Sequence, residues 1–205
     1  MLAVLGMCAA GPGARAETHA VQPEGRFAGT WVTDPANVVE YLNAILFPVS
    51  TQCERFEGSI QFKFTPGATS PTSVVSGNTL EIWGDALAVY LSKGSSNPGQ
   101  PTRISFGLNI AYAAPYTILG DHSLLEFGGP SPDTSSTSIE NLVVNGVEVM
   151  RESGSIDMLG MEMSVATSQM RFEFVDDNQV KLTPIFPAAP DGVTIEPRPL
   201  LLRRK

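Results

Sequence analysis

The sequence predicts an all-β chain, mainly antiparallel, wound as an up-and-down β-barrel with one short helix after the first strand. Three observations carry that prediction. Long stretches alternate with period two, as Phe56, Gly58, Ile60, Phe62 and Phe64 do against Glu57, Ser59, Gln61 and Lys63, and successive side chains of a strand point to opposite faces. Turn chemistry separates such runs, most clearly at Asn145-Gly146, a pair that accepts the positive φ angles of a tight hairpin. Only one segment switches to helical spacing, and many strands without helices to cover a sheet describe a barrel or a sandwich.

The chain opens on "LAVLGMCAA" and "ARA" before Glu17. A short apolar core and a small-x-small site read as a signal peptide over residues 1–16, which would place the mature chain in the periplasm or outside the cell. A second reading makes Cys8 a lipid anchor, although Met7 stands where a small residue is expected. Residues 17–25 then form a flexible segment, and residues 26–205 form a single domain. The first strand lies in "RFAGTWVTDP". Asp34 and Pro35 suit a helix N-cap and first position, because the Asp carboxylate accepts free backbone N–H groups and Pro lacks one. Val38, Leu42, Ile45 and Leu46 recur at helical spacing until Pro48.

Strands follow at "FEGSIQFKF", at 79–83, at 86–91 and in "RISFGLNIAY", where Ile104, Phe106, Leu108, Ile110 and Tyr112 share the apolar face. Shorter ones are expected at 116–119, 123–127, 139–144, 147–151, 161–174 and 180–183, the last two joined by a turn at Asp176, Asp177 and Asn178. "PLLLRR" supplies the final strand. Ser/Pro/Gly-rich loops at 65–76, 93–102 and 128–138 belong at a mouth or on the surface.

Composition narrows the function classes. The 205 residues carry a net charge of −8 and a sequence pI near 4.7; an acidic surface repels phosphate backbones, which argues against nucleic acid as a partner. No stretch approaches the ~20 apolar residues of a membrane helix, so the chain is not expected to be integral to a membrane. An outer-membrane barrel is disfavoured by the 8% aromatic content and the terminal Lys205. Cys53 reads as a small core hydrophobe.

Ionisable groups gather at "LGDHSLLEF", but neighbours on a strand face opposite ways, so His122 and Ser123 make a poor catalytic pair. Neither metal-ligand spacing nor a phosphate loop appears in the sequence; no metal or cofactor is expected, and an enzymatic role stays open but disfavoured. Met158, Met161, Met163 and Met170 pack a core or line a cavity for irregular apolar ligands.

"FAGTW" resembles the opening of the calycins, the lipocalins and fatty-acid-binding proteins, whose G-x-W closes the base of a barrel. The resemblance implies structural roles for Gly29 and Trp31, with Arg203 or Arg204 packed over the indole as a cation–π partner. The helical stretch after it, with "SGNTLEIW" and "TRISFGLNI", points to the fatty-acid-binding branch. The R-x-Y that grips a carboxylate in that branch is absent from "LLLRRK", so fatty-acid specificity does not carry over. Two functions follow. One is an extracytoplasmic protein binding a small apolar or amphipathic molecule in the barrel, with Trp83, Phe106, Leu108, Tyr112 and Met163 as candidate lining residues. The other is a cell-envelope structural or interaction module with a filled core.

Overall fold

In the computed structural model, residues 23–45, 51–67, 77–92, 100–119, 123–128, 136–150, 154–155, 169–185 and 197–205 are described. A helical turn, α1 (Pro23–Phe27), precedes β1 (Gly29–Thr33) and α2 (Pro35–Ile45). Three long strands follow: β2 (Thr51–Thr65), β3 (Asn78–Ser92) and β4 (Thr102–Leu119). Then come β5 (Leu124–Phe127), β6 (Ser136–Val144), β7 (Val147–Met150) and β8 (Gly154–Ser155). The chain closes with β9 (Gln169–Asp176), β10 (Gln179–Pro184) and β11 (Leu200–Arg204).

Eight of these strands, β1–β5 and β9–β11, pair antiparallel in a closed ring, with β11 returning to β1. Within the ring, closure removes the free edges that would otherwise recruit other chains, and β7 is left as the edge of the extension. β6, β7 and β8 lie outside the ring and extend the sheet from β4. The sheet therefore rises on one side, where β2, β3 and β4 continue past the rim of a short barrel.

The helix forms as its sequence dictates. Asp34 Oδ1 accepts the N–H groups of Ala36 at 3.0 Å and Asn37 at 3.4 Å, satisfying donors that a helix start leaves open. Val38 is buried and Val39, Tyr41 and Leu42 pack beside it; Leu46 and the side chain of Ile45 lie outside the described residues. Two asparagines fasten the helix to its neighbours. Asn37 accepts from Leu201 N at 2.6 Å and donates to Pro199 O at 3.1 Å. Asn43 accepts from Cys53 N at 2.6 Å and donates to Cys53 O at 3.0 Å. That second pair stands in for a neighbouring strand along the part of β2 that β1 does not reach.

Two expected boundaries are corrected. β3 runs unbroken through Gly84-Asp85, because a glycine lets two backbones close up: a Cβ at Gly84 would stand 2.3 Å from Ser59 O. β4 runs through Pro115, whose carbonyl accepts Gly128 N at 2.8 Å. In an antiparallel strand the N–H and C=O of one residue point the same way. The donor that Pro115 lacks would therefore face β5, where β4 is changing partner: its ladder with β6 ends at Ala111↔Ser136 and its ladder with β5 begins at Tyr116↔Phe127. The Asn145-Gly146 hairpin forms as expected, with φ of +50° and +83°. So does the turn after Asp176, where its carboxylate accepts Asn178 N at 2.7 Å. Residues 1–22, which include the expected signal segment and Cys8, and residues 156–168, which include Met158, Met161 and Met163, lie outside the described residues.

Candidate functional site: the barrel mouth

The base of the barrel is shut. Trp31 and Arg204 are paired across β1 and β11, Trp31 is fully buried, and the Arg204 guanidinium lies 4.5 Å above the indole. Arg204 donates to Asp177 O at 3.0 Å, Ala28 O at 2.8 Å and Arg26 O at 2.5 Å, and the indole N–H donates to Phe27 O at 2.7 Å. These bonds hold α1 in place so that the Phe27 ring enters the barrel. Its centroid lies 4.8 Å from those of Phe64 and Phe172 and 4.9 Å from that of Phe174. Arg26 adds a second lid over Phe174 at 4.0 Å and reaches Asp177 at 3.3 Å. Of the two arginines considered for the indole, Arg204 takes the role. Arg203 is exposed on the other face of β11. Gly29, at φ +115°, sits against Arg204, whose Nη1 an added Cβ would meet at 3.4 Å.

Above this plug the inward rows of β2, β3 and β4 change character. Phe64–Leu80–Ala114 is a buried row, and Phe56–Ala88–Phe106 is another. Between them, Ile60–Gly84–Ile110 is only partly buried, while in Gly58–Ala86–Leu108 the glycine is exposed and the other two are partly buried. Ile82 and Tyr112, paired in the row below, are also partly buried. The β1–β2 ladder stops at Val32↔Gln61, and the next amide, Ile60 N, donates to Thr33 Oγ1 at 3.0 Å. The accessible rows therefore lie at the rim of the ring, with three tall strands behind them. α2, which leaves β1 at that same rim, is strapped to β2 and β11.

Tyr112 is the polar member of this apolar band. Its hydroxyl is 3.5 Å from Gly128 O, well beyond the 2.5–3.0 Å usual for an O–H···O bond, and burial raises its pKa above the ordinary phenol value. Deeper in the tall half, Tyr90 stacks on Phe106 with centroids 5.6 Å apart. Cys53 is buried and its thiol pKa is raised, mainly by desolvation.

The candidate lining residues separate. Phe106, Leu108 and Tyr112 share the inward face of β4. Trp83 is corrected: its paired neighbours Gln61 and Ala111 and its face-mates Glu81 and Asp85 put it on the outer wall, where Lys63 pairs with Glu81 at 2.6 Å and Asn109 with Asp85 at 2.6 Å. Met163 lies outside the described residues. Sequence reasoning did not single out Ile60, Ile82 or Ala86 as lining residues, although the alternation around them carried the signal.

A cleft of about 340 Å³ in the tall sheet is lined by residues of both its faces, Gly58, Ala86 and Leu108 of the accessible rows together with Glu57, Asp85, Leu87, Gly107, Asn109 and Glu140. Among the described residues no three His, Cys, Asp or Glu side chains gather closely enough to hold a metal, and none of the helices is long and apolar enough to cross a membrane.

The geometry defines a class: a closed, antiparallel, eight-stranded barrel with a sealed base and an apolar mouth, compatible with a calycin-like fold. Comparison with protein-family models, curated proteins and solved structures found no match.

Proposed function

We propose that this chain is an extracytoplasmic β-barrel protein that binds a small apolar or amphipathic molecule at the mouth of its barrel. The observation that carries the reading is the band of partly buried inward residues, Ile60, Ile82, Ala86, Leu108 and Ile110, between two buried rows. Apolar surface left accessible on a concave wall gains free energy when a ligand covers it. The Trp31–Arg204 closure supports kinship with the calycins, and the N-terminal sequence supports export. A second reading, a module with a filled core, draws on Phe27 and its aromatic neighbours, which fill the base.

Titration with the neutral fluorophore N-phenyl-1-naphthylamine tests the first reading against the second. The parent should show saturable, blue-shifted emission. Ala86→Leu, which fills the mouth, should weaken that signal about tenfold or more, as the loss of even one well-made apolar contact surface can, while its urea midpoint stays near the parent's. A parent that takes up no probe makes the protein a filled module.

A further inference from the structure

The mouth also indicates what chemistry a ligand's polar end would need; this inference rests on the binding reading above. Thr33, in line with Ile60, is buried with its hydroxyl accepting Ile60 N, so among the described inward side chains that stay accessible Tyr112 is the polar one, and a ligand's polar atom has the phenol to meet. The Tyr112 proton is available, because its 3.5 Å contact with Gly128 O is too long to hold it against a better acceptor.

The two arginines that end the last strand do not serve the mouth. All three Arg204 nitrogens donate to backbone carbonyls at the sealed base, and Arg203 stands exposed on the outer face. The nearby cations of the tall wall are committed outside as well, Lys63 to Glu81, Arg55 to Glu57 and Arg103 to Glu54. A carboxylate placed in the mouth would give up its water without a cation among the described residues to replace it, and the chain's net charge of −8 repels it on approach.

We infer that the mouth selects an uncharged amphiphile, an ester, ketone or alcohol whose oxygen accepts the Tyr112 hydroxyl proton, over a carboxylate of the same chain length. Tyr112 is the specificity-determining residue for that choice.

The experiment is displacement of bound N-phenyl-1-naphthylamine from the full chain by methyl decanoate, decanoate and dodecane at pH 8, in the parent and in Tyr112→Phe. Methyl decanoate should displace the probe at least about tenfold more effectively than decanoate, a gap set by unpaired charge burial. Tyr112→Phe should weaken methyl decanoate about fivefold to tenfold, the worth of one hydrogen bond, and weaken dodecane and the probe by clearly less, since the ring that lines the mouth is kept. That selective loss separates a phenol–oxygen bond from apolarity alone. Decanoate matching the ester, or a Tyr112→Phe variant that binds the ester as the parent does, overturns the inference and leaves the binding site standing. A parent that binds no probe overturns the binding reading and this inference with it.

Discussion

Removing the Arg204 guanidinium should open the base of the barrel. In Arg204→Ala, the carbonyls of Asp177, Ala28 and Arg26 lose their donor, and the Trp31 ring loses the cation 4.5 Å above it. A hydrogen bond to a charged donor is worth about 1.5–3 kcal/mol when buried. Arg204 is only partly buried, and the freed carbonyls can recover water, so about 1 kcal/mol for each of the three is the fitting figure. The cation–π contact adds about 0.5–1 kcal/mol. The total, about 3–4 kcal/mol, is a large share of the ~5–15 kcal/mol that holds a domain together. Arg204→Lys keeps a charge but not the planar fork, and should recover less than half of that loss.

Equilibrium urea unfolding, followed by circular dichroism and by tryptophan emission, reads the loss as a shift in midpoint at constant slope. Trp31→Phe and the double variant complete a cycle, whose coupling should be at least about 0.5 kcal/mol if the ring and the guanidinium interact. A cost below about 1 kcal/mol for Arg204→Ala, together with zero coupling, would refute the assignment of base closure to this residue.

Asn43→Ala removes both hydrogen bonds to the Cys53 backbone; it should cost about 1–3 kcal/mol and speed hydrogen exchange at the Cys53 amide, and an unchanged exchange rate would count against α2 acting as a strand surrogate. Gly58→Ala and Gly84→Ala should each cost about 2 kcal/mol or more by strain and overpacking. A Cβ at either would stand 2.3 Å from a backbone oxygen, and Gly58 holds φ +111°. Gly107→Ala, whose nearest contact is an ordinary 3.5 Å, should stay within about 0.5 kcal/mol of the parent; thermal melts rank the three. Burial lifts Tyr41 from 10.0 to about 12, so its neutral form is favoured in the folded state. The stability it contributes is therefore fully present below the unfolded pKa near 10 and is lost as pH rises toward about 12. Unfolding midpoints measured from pH 9 upward should fall more steeply in the parent than in Tyr41→Phe.

The parts of this fold that sequence displays are those that a local rule determines. The alternation of β2 and β4 placed Phe56, Phe62, Phe64 and Phe106 inside, and all four are buried. The Asp34-Pro35 start and the Asn145-Gly146 turn needed only their own few residues. What stayed hidden depends on contacts made far along the chain. Phe27 enters the barrel because Arg204 and Trp31 hold the backbone of α1, and nothing within the segment 23–27 announces it. Gly84 and Pro115 look like strand breaks until their partners are known. Trp83 is apolar yet faces outward, because side chain type does not override register. Asn37 and Asn43 read as ordinary polar positions on a helix until the strands they fasten are beside them. The mouth was half legible: Leu108 and Tyr112 follow from alternation, whereas the rim that leaves them accessible follows from where β1 stops.

Closure by β11 has a consequence for how the barrel assembles. Its seal joins Arg204 to Ala28 across 176 residues, a contact of very high sequence separation whose loop entropy must be met before the bond returns anything. The hairpins β2–β3, β3–β4 and β9–β10 link neighbours in the chain and can form early. Until β11 docks, β1 and β10 are both open edges, and the Phe27 plug has no guanidinium to hold it. A sheet complete but for β11 would therefore carry an unsealed seam, with the edges of β1 and β10 open to association with other chains.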